Sequence, residues 1–170
     1  KYAGVDILEA GIREINNKLE KLNIEYEKKG FNAARAIDSL WKYCRKQIEK
    51  PGFLINVPLI ISPLAKKCEK NSQLTQRFQV IMAGSELGNG YSELNNPLEQ
   101  AERFKEQQKL REAGDEEAQM YDQDFVEALE YGMPPTCGFG VSERFFSFLM
   151  GKPIRECQVF PLLKPKSENR

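Results

Sequence analysis

The sequence predicts an α+β fold, and three observations carry that prediction. Two N-terminal segments repeat apolar residues at the helical interval, and the period then changes to β-branched, alternating residues between about 53 and 93. Helix-capping signals return after Asn96. Helices and antiparallel strands segregated in this order belong to the α+β class, and no internal repeat or second domain interrupts them.

Residues 5–22, DILEAGIREINNKLEKLN, set Ile7, Ile12, Ile15, Leu19 and Leu22 on one face, which predicts a first helix. After Gly30, residues 32–50 repeat the pattern through Ala33, Ala36, Ile37, Leu40, Trp41, Cys44 and Ile48, and Pro51-Gly52 ends this second helix. FLINVPLIISPL, broken by Pro58 and Pro63, suits short or edge strands joined by a turn. RFQVIMAG (77–84) and the following SELGNGYSELN stand at hairpin distance and predict two antiparallel strands. Asn96 is placed as an N-cap, Pro97 takes the first helical position, and Glu99 is spaced to reach back as in a capping box. The helix that follows, to about residue 112, is polar enough to lie on the surface. A shorter one, DQDFVEALEY, is capped by Asp122 and stopped by Gly132 and Pro134-Pro135. Finally CGFGVSERFFSFLMG passes from glycines into a helix apolar almost all round from Phe145 to Met150, which is expected to be buried. The KPKSENR tail is expected to be a solvated end.

At 170 residues, 41% hydrophobic and 29% charged, the chain is long enough to bury a core. Its 25 basic and 25 acidic residues cancel, so any contact with a polyanion must be local. No apolar run approaches the roughly 20 residues that span a bilayer, and the start lacks the apolar core of a secretory signal, so no membrane role and a cytoplasmic address are expected. Cys44, Cys68, Cys137 and Cys157 stand singly, which predicts buried free thiols, not a zinc site or a disulfide framework. Histidine is absent. That excludes Ser-His-Asp and Cys-His nucleophile chemistry and leaves carboxylate, arginine or metal chemistry.

Two stretches could carry such chemistry. In ELGNGYSELNNP, strand alternation puts Asn89, Tyr91 and Glu93 on one face and Glu86, seven residues from Glu93, on the other. A bulge or bend at Gly88 or Gly90 would absorb one residue and bring Glu86 round to join them. The plainer alternative is a hairpin with exposed glutamates. In CGFGVSERFF, small residues at 138, 140 and 142 line one face of an extended segment, Ser142 can cap the next helix, and Arg144 projects from its first turn. A floor without side chains beside a guanidinium suits a stacked purine with phosphates nearby; a glycine-rich turn with Arg144 as a surface cation is the alternative.

Taken together, ISPLAKK (61–67), GSELGNGYSELNNPLEQAERFKEQ (84–107), GDEEAQMYDQDFVEALEYGMPPT (114–136) and GFGVSERFF with IRECQVFPLLKP (138–165) resemble the C-terminal part of the catalytic domain of a class II lysyl-tRNA synthetase. The resemblance implies a class II synthetase-like antiparallel sheet flanked by helices, a partial core in which residues 1–50 are a helical insertion and 51–165 the sheet with motif 3. It implies ATP-dependent activation of lysine to lysyl-adenylate and transfer to tRNA(Lys), in an enzyme that is a homodimer at full length. It also implies the site. Glu86 matches the acid that helps hold Mg2+ on ATP; Glu93 matches the acid that takes the lysine ε-ammonium and approaches metal. Asn89 and Tyr91 match contacts to the amino acid. Gly138 and Gly140 match the glycine floor under adenine, and Arg144 the motif 3 arginine that stacks on adenine and reaches phosphate.

This chain departs from the pattern in places. Ser142 stands where a glycine is usual, the run from the proline pair to Arg144 is one residue shorter than in many relatives, and Gln79 stands where many have a further metal-binding acid, which puts the number of magnesium ions in question. Motifs 1 and 2 and the anticodon-binding barrel find no match. A fragment, inactive in isolation for want of the motif 2 arginine, is therefore expected. A non-catalytic synthetase-derived binding module, or a ligase that joins lysine to a protein, remains an alternative.

Overall fold

The computed structural model describes residues 2–161 apart from residues 27 and 29; the tail and the last residues of the IRECQVFPLLKP stretch lie outside the described residues. The chain opens with helices α1 (Ile12–Lys21) and α2 (Ala33–Arg45). Ile15 and Leu19 from α1 and Ala36, Ile37, Leu40 and Cys44 from α2 bury each other in one cluster, as the apolar spacing requires. Helix α1 begins later than the spacing predicts. Asp6 accepts the Leu8 amide on its side chain and the Ala10 amide on its carbonyl, so residues 6–10 form a turn instead, although Val5 and Ile7 still pack on the cluster. Helix α2 stops at Arg45, five residues early; beyond it the Ile48 carbonyl is taken by the Gly84 amide.

Four strands follow: β1 (Gly52–Ile55), β2 (Arg77–Met82), β3 (Ser85–Ser92) and, much later, β4 (Cys137–Val141). They form one antiparallel sheet in the order β1-β2-β3-β4. The edge strand β1 fits the proline-broken sequence, but residues 59–61 form a 3-10 turn and not a second strand. The β2–β3 turn is Ala83-Gly84, both with positive φ (48° and 71°), the conformation that lets a two-residue loop match strand twist. Arg77 pairs with Tyr91, Gln79 with Asn89 and Val80 with Gly88, yet Ile81 pairs with Glu86. Leu87 is the extra residue: a bulge.

Between β3 and β4 run α3 (Pro97–Glu112) and α4 (Gln123–Glu130). Asn96 and Asp122 cap them through the amides of Leu98, Glu99 and Phe125. Glu99 does not complete a capping box. Its carboxylate is drawn to Lys67 at 2.9 Å and to Arg103, whose guanidinium also binds the carbonyls of Ser62, Pro63 and Ala65. Only Gln100 and Phe104 of α3 are buried, in keeping with a surface helix.

The loop after α3 is tied to α2. Asp115, 4% exposed, accepts Asn32 Nδ2 at 2.8 Å and Arg35 Nε at 3.1 Å. Burial pushes this carboxyl up, and the bonds from Asn32 and Arg35 outweigh burial and hold it below its ordinary value. The sign follows: stability from Asp115 is present above the unfolded-state pKa and is lost as pH falls through the depressed folded value. Asp115→Asn is expected to cost about 1–2 kcal/mol of unfolding free energy, since it removes the buried charge beside Arg35 Nε and leaves the guanidinium to the exposed Glu117. Urea unfolding at pH 7 and again below about pH 3 checks this, the gap to wild type narrowing only in the acid, below the ordinary aspartate range.

The chain ends in α5 (Glu143–Met150) and the short α6 (Ile154–Cys157). Ser142 caps α5 through the Arg144 amide. The expectation that α5 is buried is not met: Phe146, Phe148, Leu149 and Met150 are all exposed. Among the described residues α5 packs chiefly on α6 and β3, which leaves these side chains in solvent. The cysteines correct a second expectation. All four are free, but only Cys44 is buried, and Cys137 is exposed because it sits on β4, where every residue is exposed.

The sheet has two unlike faces. One carries Phe53, Phe78 and Phe139 in a row, with ring centroids 6.1 Å apart in the first pair and 5.5 Å, stacked, in the second. The rings pass over Gly88 and Gly90, where a Cβ would come within 2.7 Å and 2.9 Å of a ring. The other face carries the acids.

Candidate functional site

The register of β2, β3 and β4 sets Arg77, Gln79, Asn89, Tyr91, Gly138 and Gly140 on that second face, by alternation along each strand. Without the bulge, Glu86 would point the other way. With Leu87 as the extra residue, Glu86 pairs with Ile81 and joins the face that carries Gln79 and Asn89. The bend therefore falls one residue before Gly88, and it does what the spacing of the two glutamates calls for.

An open cavity of about 300 Å³ collects Glu86, Asn89, Gly140, Ser142 and Arg144, so the glycine strand and the first acid share one hollow. Tyr91, Glu93 and Gly138 do not line it; they lie farther along the same face. There a Cβ on Gly138 would stand 3.3 Å from Glu93 Oε1, so the glycine lets the carboxylate approach the β4 backbone. Three larger hollows, of about 610, 1050 and 330 Å³, lie against the N-terminal helices and include neither Glu86 nor Glu93, although Arg77 and Gln79 line the last. We assign the site to the 300 Å³ hollow because it brings an acid, an arginine and the glycine strand together.

Glu93 has no ion pair among the described residues, and burial raises its carboxyl above the ordinary value. Burial, and then the charge of Glu93, raise the neighbouring Tyr91 phenol. A half-buried carboxylate without a partner is costly unless a cation comes to it. Glu86 is already paired: Arg45 Nη1 lies 3.6 Å from its Oε2. Arg144 is exposed and has no ion pair among the described residues, and its backbone amide is fixed by Ser142.

Three residues that sequence reasoning missed complete the face. Arg77 donates from Nε to Asn89 Oδ1 at 2.9 Å and from Nη1 to the Ile61 carbonyl and Ser62 Oγ, which fixes the asparagine. Burial lowers its pKa and the charge of Glu86 works against that fall. Trp41 donates from Nε1 to Gln79 Oε1 at 2.9 Å, so this glutamine's acceptor is occupied from α2. Arg45 comes from the same helix. The hairpin register could have found Arg77, because it stands across from Tyr91; nothing in the local sequence points to the other two.

Among the described residues no three histidine, cysteine, aspartate or glutamate side chains gather to hold a metal ion by themselves. No helix among them is long and apolar enough to cross a membrane.

The family model of class II tRNA synthetases (D, K and N) matches residues 5–164. A lysine--tRNA ligase of Thermotoga sp. (strain RQ2) is 48% identical over 96% of the chain, one of Thermosipho africanus 46% over 98%, and one of Porphyromonas gingivalis 41% over 98%. The chain covers 32%, 33% and 29% of these relatives, so it spans about a third of their length.

Proposed function

Since the chain belongs to the class II tRNA synthetases of the D, K and N family, we propose that it forms the C-terminal part of the catalytic domain of a lysine–tRNA ligase, with residues 1–50 as a helical insertion and 51–165 as the sheet with motif 3. The observation that carries the choice of lysine is the half-buried carboxylate of Glu93 on the acid-bearing face, without an ion-pair partner among the described residues. An ε-ammonium supplies what that group lacks. At about 4 Å and an effective dielectric near 20, such a pair attracts by roughly 4 kcal/mol before desolvation, and a neutral side chain would leave the acid unpaired. Ornithine, shorter by one methylene, is rejected by only about 1–3 kcal/mol.

The other residues take their roles around Glu93. Tyr91 and Asn89 contact the amino acid, and Arg77 is a positioning residue that holds Asn89. Adenine lies over Gly138 and Gly140, with Arg144 stacking on it and reaching phosphate. The lysine carboxylate, with a reference pKa near ~3.5, is ionised at neutral pH, so its attack on the α-phosphorus of ATP needs no general base. Pyrophosphate leaves, and a terminal hydroxyl of tRNA(Lys) then takes the aminoacyl group.

Magnesium suits these residues only in company with nucleotide. One or two carboxylates suffice when phosphate oxygens complete the shell, and Glu86 and Glu93 would be those two. When bound, the ion neutralises phosphate charge. The complete enzyme is read as a cytoplasmic homodimer.

The test joins this chain in frame to the remaining two thirds of the Thermotoga relative and measures lysine-dependent ATP–pyrophosphate exchange, then transfer to tRNA. Exchange well above the lysine-free rate is expected, and no aminoacylation from the 170-residue chain alone. A folded hybrid that binds ATP without exchange would favour a binding module, and exchange with transfer to protein but not tRNA would favour a protein-directed ligase.

A further inference from the structure

Helix α2 brings a guanidinium to an acid of the candidate site. Arg45 is the last residue of α2 and its side chain is 17% exposed; that of Glu86, 3.6 Å away, is 28% exposed. This separation exceeds hydrogen-bond range, so charge and not a directional bond holds the pair. The buried Arg45 Nε has no hydrogen-bond partner among the described residues.

The helix that carries Arg45 is pinned at the same end. Trp41 bonds Gln79, the Ile48 carbonyl takes the Gly84 amide, and a Cβ on Gly84 would meet Lys46 Cα at 3.0 Å. Arg45 is thus kept at the site by its backbone, while its contact with Glu86 is loose enough to be given up. Arg77, the other guanidinium whose charge couples to Glu86, has donors committed to Asn89, Ile61 and Ser62. Arg45 is the one ion-pair partner of Glu86 among the described residues.

We propose that Arg45 is a built-in counter-ion of Glu86 that occupies this carboxylate in the nucleotide-free protein and keeps a free divalent cation from it. The idea rests on the reading of Glu86 as a metal-holding acid and adds a residue that governs when it is available. A divalent cation offered alone must compete with a fixed positive charge within a few ångströms. Arriving with phosphate, it brings negative charge to which the guanidinium can turn, including an acceptor for the orphaned Nε.

Titration of the full chain with Mn2+ alone, followed by electron paramagnetic resonance, tests this. Arg45→Gln is expected to bind Mn2+ at least about tenfold more tightly than wild type, because a neighbouring positive charge is gone. Arg45→Lys should stay near wild type, and Arg45→Gln combined with Glu86→Gln should lose the gain. Equal affinity in wild type and Arg45→Gln, or a gain that survives loss of Glu86, overturns the proposal; if the glutamine variant does not fold, Arg45→Met carries the same comparison. ATP binding measured on the same variants in the hybrid with the Thermotoga relative separates the two ideas. A nucleotide-blind protein with the Mn2+ gain intact would sink the functional reading and leave the Arg45 pairing standing, whereas ATP binding without the gain would do the reverse.

Discussion

Glu93→Gln is expected to lower kcat/KM for lysine by about a hundredfold or more in the hybrid enzyme, with ATP affinity changed by less than about a factor of three. The amide keeps the size of the side chain and removes the charge that an ε-ammonium needs. Lys109→Gln, on the exposed side of α3 where Lys109 pairs with Glu106, should change neither. Equal losses in the two variants would remove Glu93 from the lysine site. Two further readouts tie the effect to the carboxylate. Burial raises the Glu93 pKa, so lysine binding should fail, as pH is lowered, earlier than an ordinary glutamate would allow. The same shift acts on stability with the opposite sense. A raised folded-state pKa contributes stability below the unfolded value, and that contribution is lost as pH rises through the folded one, so ionised Glu93 is a burden at neutral pH. Glu93→Gln should therefore raise the thermal midpoint at pH 7 while it destroys lysine use, a pairing that general damage to the fold cannot produce.

Gly90→Ala should cost about 3 kcal/mol or more and is the most damaging single methyl for the site. Its Cβ would meet the Gly138 carbonyl at 2.9 Å on one side and the Phe78 ring at 2.9 Å on the other. A ring can turn, but the carbonyl belongs to β4, so strands β3 and β4 must part. Gly140→Ala makes the contrast, since its nearest neighbour, the Asn89 carbonyl, is at 3.9 Å. That variant should unfold with wild-type urea dependence and lose ATP affinity instead, because the methyl would stand on the proposed purine floor. If Gly90→Ala proved as stable as wild type, the pairing of β3 with β4 would be wrong.

What the sequence made legible follows the range of the forces involved. Asn96, Asp122 and Ser142 were readable as caps because a cap is a bond to an amide two or three residues away. The hairpin and the face shared by Asn89 and Tyr91 were readable because alternation is a property of the strand itself. The need for a bend between Glu86 and Glu93 could be stated, but its position at Leu87 depends on the pairing with β2. Glu99 was misread for a related reason: Lys67 and Arg103, not the local backbone, compete for its carboxylate. Trp41 and Arg45 look like ordinary members of a helix until α2 is docked on the sheet. The burial expected of α5 failed because an apolar helix shows that it needs a cover and not where the cover is.

A strand is a single backbone thick, and Gly88 and Gly90 leave it bare where Phe139 and Phe78 lie against it. The ring stack and the residues opposite, Asn89 and Tyr91, hang from the same peptide units. Exchange of one aromatic for a bulkier or smaller neighbour would be transmitted straight through to the face of the candidate site, so the two surfaces are free to diverge only in step. Laboratory evolution of this segment should find accepted changes at Phe78 and Phe139 arriving together, with each alone paid for in turnover.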